Sequence, residues 1–148
     1  MQHPISRKSY LRVLSVFYFL FLFRVLAQLI QKFAPVTFLP EFNAWHSETI
    51  SYSALLSSQI VIIVLMSYVL IKFIQGKLLP SRKLGKLLLV LGAIYFISML
   101  FRLIAGLTIF IDKPWFTAYI PTIFHLDLAL FLLTLAKFHF TERKHDIS

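Results

Sequence analysis

Residues 53–111 decide the fold: SALLSSQIVIIVLMSYVLIKFI (53–74), QGKLLPSRKLGK (75–86) and LLLVLGAIYFISMLFRLIAGLTIFI (87–111). A helix needs about 20 apolar residues, at about 1.5 Å of rise each, to cross the hydrocarbon core of a bilayer. Both flanking runs meet that length. Neither alternates polar with apolar positions, and a barrel strand would be about half as long. Between them, Gly76, Pro80, Ser81 and Gly85 stand among Lys77, Arg82, Lys83 and Lys86, which is a short polar turn. The stretch therefore reads as two spanning helices joined by a basic hairpin.

Working outward, two more runs reach spanning length, at about 11–29 and 116–138. The break before the last run is Asp112-Lys113-Pro114, because proline cannot continue a preceding helix. The expected architecture is an all-α membrane protein: a single membrane domain over residues 1–148, a four-transmembrane-helix bundle with spans near 11–29, 53–74, 87–111 and 116–138. Composition agrees. Of 148 residues 59% are hydrophobic and only 14% charged, with mean hydropathy +0.81, whereas soluble domains carry about 25% charged residues. The apolar Val13–Phe23 stretch follows a basic start, as in a signal peptide, but Arg24 comes next and no small-residue cleavage site does. It is expected to remain as the first span.

The cations set the expected orientation. Arg7, Lys8, Arg12, Lys72, Lys77, Arg82, Lys83, Lys86, Lys137, Arg143 and Lys144 fall on one side of the spans; Lys32 and Lys113 fall on the other. Eleven against two places both termini and the 75–86 turn in the cytoplasm, in a plasma membrane or bacterial inner membrane. The net charge of +9 thus flanks apolar runs and forms no basic face, so nucleic acid is not an expected partner. The connection from Gln31 to Tyr52 carries Phe33, Phe38, Leu39, Phe42 and Trp45 between Pro35 and Pro40. Aromatic side chains of this kind favour the headgroup layer, so an outer interfacial segment with Trp45 and Phe42 at headgroup depth is expected between the first two helices.

Function rests on a few ionisable residues placed where a bilayer makes them costly. Arg24, Gln28 and Gln31 recur at i, i+4 and i+7, one stripe that should face protein or water. Gly92, Tyr95, Met99, Arg102 and Gly106 share a face of the third span, where two glycines allow another helix to approach closely. Asp127 is the sole acid within a span, at similar depth. Pairing with Arg102 or Arg24 is expected, since buried charges seek partners. On that expectation Arg102 is the most sensitive position, and Arg102→Ala and Asp127→Ala should compensate each other.

Other groups are secondary candidates. His125 lies two positions from Asp127, about 200° around the helix, so the two cannot serve one small site. His46, beside Trp45 and Glu48, is a further proton-transfer candidate. Ser53, Ser57, Ser58 and Gln59 line the outer part of the second span, where such residues bond neighbouring helices. Without cysteine there is no disulfide, thiolate chemistry or Cys-ligated zinc. No Gly-rich phosphate loop, HExxH or nucleophile elbow occurs, so neither a metal nor a cofactor is expected.

Three readings follow. The first is a non-enzymatic accessory or lipid-binding bundle with a buried cluster of Arg24, Gln28, Tyr95, Arg102 and Asp127. It could bind a membrane lipid, anionic in particular, and act as a homo-oligomer or beside a partner membrane subunit. The second is a transporter or permease subunit for an anionic amphiphile, with the arginines as counter-charge. The third, weakest for want of a catalytic constellation, is an intramembrane lipid-modifying enzyme using Asp127, His125 or His46.

Overall fold

A computed structural model describes residues 7–46 and 49–141. The helices are α1 (Arg7–Phe33), α2 (Tyr52–Ile74), α3 (Arg82–Thr108), the short α4 (Pro114–Thr117) and α5 (Tyr119–Thr141), with a 3-10 turn at Phe42–Trp45. Among the described residues there is no strand. Four helices, α1, α2, α3 and α5, are long and apolar enough to cross a membrane, consistent with a multi-pass integral membrane protein. Glu48, Arg143 and Lys144 lie outside the described residues.

The helix ends have local causes. Gly76 adopts a positive φ of 69° just past α2, a conformation glycine takes without a steric penalty, and that stops the helix. Ser81 begins α3 by accepting a hydrogen bond from the Leu84 amide, so this helix starts five residues earlier than the apolar run. The fourth expected span is split at Ala118, whose ψ of 73° interrupts the helix. Pro121 is the third residue of α5. Its missing N–H falls among the first four, which have no intrahelical partner in any helix.

Packing follows from which faces bear small or polar residues. α3 lies closely along α5, α5 also packs on α1, and α1 packs on α2. The order is thus α2, α1, α5, α3, with each contact antiparallel. α2 and α3, although consecutive in sequence, scarcely touch. Small residues explain the α3–α5 approach: a β-carbon on Gly85 would lie 3.0 Å from His139 Cβ and one on Gly92 3.0 Å from Leu133 Cδ2, while Gly106 admits α4, where a β-carbon would lie only 2.3 Å from the Phe116 carbonyl oxygen. The apolar core forms where α1, α2 and α5 converge, around Leu14, Phe21, Met66, Phe73, Phe131 and Phe138.

At one end, Arg7 Nη2 donates to the Leu78 carbonyl, the Tyr10 hydroxyl to Thr141 Oγ1, and the Ser81 amide to His139 Nδ1. The start of α1, the basic 75–81 turn and the finish of α5 are therefore neighbours and form the basic end of the bundle. The opposite end carries the 34–51 and 109–118 connections.

One expectation about that opposite end is corrected. Trp45 does not turn outward: it is 3% exposed, stacks on Phe124 at 6.4 Å and meets Phe23 edge-on at 6.4 Å. Its indole N–H donates to the Pro40 carbonyl at 2.9 Å. A tryptophan whose one polar group is satisfied within its own loop can be buried fully. The 3-10 turn thus plugs the bundle between α1 and α5.

Candidate ligand-binding site

The α1 stripe does face protein. Arg24 Nη2 and Gln28 Nε2 both donate to the Trp45 carbonyl, at 3.2 and 3.4 Å. Gln28 Oε1 in turn accepts from Gln59 Nε2 of α2 at 3.1 Å. Gln31 holds the loop above: its Nε2 donates to the carbonyls of Val36, Leu39 and Pro40, and its Oε1 accepts from the Val36 amide. One stripe of α1 thereby fixes both α2 and the 34–45 connection.

Behind this network lies a cavity of about 60 Å³, lined by Phe21, Arg24, Gln59, Tyr95, Pro121 and His125, among others. The Tyr95 hydroxyl is hydrogen-bonded to His125 Nδ1 across the α3–α5 contact. Two polar atoms on this cavity's lining residues are buried without a hydrogen-bond partner: Arg24 Nε and Gln59 Oε1. Arg24 and Gln59 are 5% and 2% exposed. Leaving a buried donor or acceptor unmet costs about 1–3 kcal/mol, and more for a charged group. Both guanidinium groups, Arg24 and Arg102, act electrostatically on the Tyr95–His125 pair, and no ion pair joins either to a carboxylate among the described residues.

The expected charge pair is the principal correction. Arg102 does not meet Asp127. Its Nε and Nη2 both donate to the Trp115 carbonyl, at 3.0 and 2.6 Å, and its guanidinium lies 4.1 Å from the Trp115 ring centre. Asp127 makes no hydrogen bond among the described residues, and its Oδ2 is buried. The geometry of α5 explains this. Asp127 shares a stripe with Phe131, Leu135 and Phe138, which enters the core with α1 and α2, whereas α3 packs over the stripe that holds Leu132, Leu133 and His139. Two residues of one depth on adjacent helices still miss each other when one is turned away. The same rotation separates His125, in the cavity, from Asp127, outside it.

Below the cavity runs an apolar groove of about 320 Å³ between α2 and α3, floored by α5. Ile62, Leu65, Met66 and Val69 form one wall, Leu88 and Tyr95 the other, and Leu128, Phe131, Leu132 and Leu135 the floor. Ile62, Tyr95 and Leu128 border both spaces, so the small cavity sits at the head of the groove. One turn further toward the basic end the Phe73 and Phe138 rings meet at 4.6 Å and close it.

His46 is elsewhere. It stacks on Phe42 at 6.0 Å and borders a surface depression with Asn43, Pro114 and Thr117. Of the serines, Ser57 and Ser58 bond carbonyls of their own helix, at Ser53 and Leu55, and not neighbouring helices. Among the described residues no group of three or more His, Cys, Asp or Glu side chains could hold a metal. Sequence reasoning missed the Ser67–Tyr18 hydroxyl bond between α2 and α1 and the buried His139 that receives the Ser81 amide. His139 had one visible signal, its place on the same α5 stripe as Leu132 and Ala136. No protein-family model, curated protein or solved structure matches the chain.

Proposed function

We propose that this chain is a small multi-pass membrane protein that lodges the hydrocarbon chain of a membrane amphiphile between α2 and α3, binding it without chemical change. The observation that carries this reading is the continuity of an apolar groove with a small cavity at its head whose walls include Arg24, Gln59, Tyr95 and His125. The groove opens between two span-length apolar helices, so the medium it faces is hydrocarbon, and an acyl chain is the occupant at hand. Seven residues separate Ile62 from Val69, a groove about 10 Å long at 1.5 Å per residue, which suits one chain better than a folded headgroup. His125 and Asp127 point into different surroundings, which argues against acid–base work by that pair.

In this reading both termini and the basic turn are cytoplasmic, by the asymmetry of the flanking cations, and the 34–45 segment caps the bundle on the outer side. The test is occupancy. Protein extracted in mild, uncharged detergent should carry a co-purifying lipid on native mass spectrometry, and Leu65→Trp, which fills the groove from its exposed rim, should displace it without loss of helix content. Protein free of lipid, or a Leu65→Trp variant with unchanged occupancy, refutes the groove.

A further inference from the structure

Resting on the groove reading above, we infer that the cavity at its head seats an oxyacid: the head of a single-chain amphiphile that offers an acceptor oxygen to Arg24 Nε and an O–H to Gln59 Oε1. The two orphaned atoms are of opposite kinds. Arg24 Nε can only donate, and Gln59 Oε1 can only accept. The amide orientation of Gln59 is fixed by the chain of bonds from Gln59 Nε2 to Gln28 Oε1 and from Gln28 Nε2 to the Trp45 carbonyl. A fully ionised carboxylate would satisfy the arginine and repel Gln59; a quaternary ammonium would do neither. A phosphate monoester keeping one proton satisfies both and carries a negative charge, whereas an un-ionised carboxylic acid makes both bonds but carries none.

Charge points the same way. The carbonyl that holds Arg24 neutralises nothing, so a cation stands uncompensated at the cavity wall, where removal from water is costly. An alcohol or an un-ionised carboxylic acid would make both hydrogen bonds but leave that charge unbalanced, and a singly protonated phosphate monoester balances it. The cavity, at about 60 Å³, has room for a compact head or a few waters and none for a glycerol-linked pair of chains. Tyr95, hydrogen-bonded to His125, stands at the junction of cavity and groove, where the head would join the chain.

Native mass spectrometry of the full chain in uncharged detergent separates the possibilities, with dodecanoic acid, dodecyl phosphate, 1-dodecanol, dodecyltrimethylammonium and inorganic phosphate as probes. The expected result is retention of dodecyl phosphate, with the alcohol and dodecanoic acid about tenfold weaker or more, since neither combines a counter-charge for Arg24 with a proton for Gln59 Oε1. The ammonium and inorganic phosphate should not be retained, and dodecanoic acid held as tightly as dodecyl phosphate overturns the protonated, charged head. Arg24→Gln should erase the preference for dodecyl phosphate over the alcohol. Because Arg24 also holds Trp45, Gln59→Leu serves as the second variant and should weaken dodecyl phosphate binding in a protein that keeps its charge. If all four dodecyl probes bind alike and Leu65→Trp removes them all, the oxyacid site is overturned while the groove stands. Inorganic phosphate binding as tightly as dodecyl phosphate overturns the amphiphile. If no probe is retained, the groove reading falls, and this inference with it.

Discussion

Arg24 and Arg102 are kept within apolar helices by main-chain oxygen and not by carboxylate. Arg7 does the same at the basic end, donating to the Phe73 and Leu78 carbonyls and lying 4.9 Å from the Phe73 ring centre. Five donors in a planar fork let one guanidinium grip a carbonyl and still lie over a ring. The expected partner of each arginine was an acid because only side chains are visible in a sequence pattern; backbone acceptors carry no letter. Arg102→Ala should therefore destabilise the protein by about 1.5–3 kcal/mol, the worth of hydrogen bonds to a charged donor, read as a lowered Tm in detergent. Asp127→Asn, which removes a buried carboxylate bonded to no arginine, should leave Tm unchanged or raise it. The double variant Arg102→Ala/Asp127→Ala should be additive within about 0.5 kcal/mol. Coupling beyond that would mean the two side chains meet after all.

At the scale of elements, the helices were legible and their joints only partly so. The run 53–74 matches α2 to a residue, because Gly76 and the turn residues after it mark where apolar periodicity ends. Composition alone gives the connection after α1 as an aromatic segment at headgroup depth and carries no sign that Trp45 is buried in the bundle. What turns Trp45 inward is Gln31, whose amide satisfies three carbonyls and one N–H of the loop. A glutamine at a helix end announces no such role. Gln31→Leu should release this loop while the bundle persists, seen as faster hydrogen exchange at the Val36 amide with unchanged exchange in α3 and α5. The glycine face of α3 was legible from spacing, and its two ends should differ in tolerance. Gly106→Ala places a methyl against a backbone carbonyl that cannot yield locally, and should cost about 1–3 kcal/mol as overpacking. Gly92→Ala meets the tip of Leu133, which can move, and should cost less. Equal losses of Tm would contradict the assigned contacts.

For the whole molecule, orientation rests on charge and packing order on structure. Reporter fusions at the carboxyl terminus and within 77–80 should both report the cytoplasm, and the 34–41 loop the opposite side; any other pattern rejects the assignment. The serial order α2, α1, α5, α3 was not legible, because hydrophobic runs of this kind are apolar nearly all round and no stripe reveals a neighbour. The groove is a direct result of that packing, since the side chains of α2 and α3 both rest on α5 while the two helices scarcely touch each other and leave a gap over it. The candidate site was half legible: Arg24, Gln28, Gln59, Tyr95 and His125 were all singled out, but the rotation that excludes Asp127 could not be read from depth alone.

The chain has two tryptophans, and each supplies the carbonyl that an embedded arginine holds, Trp45 for Arg24 and Trp115 for Arg102. Acid dissolves an arginine–carboxylate clasp by protonating the carboxylate, but a peptide carbonyl offers no proton site in that range. The clasps at the 34–45 and 109–118 connections should thus be indifferent to acid. Intrinsic fluorescence reads the two directly: the emission maximum should hold steady from about pH 5 down to about pH 2, the window in which carboxylates paired with arginine take up protons. A red shift on acidification would reveal a hidden carboxylate in the linkage.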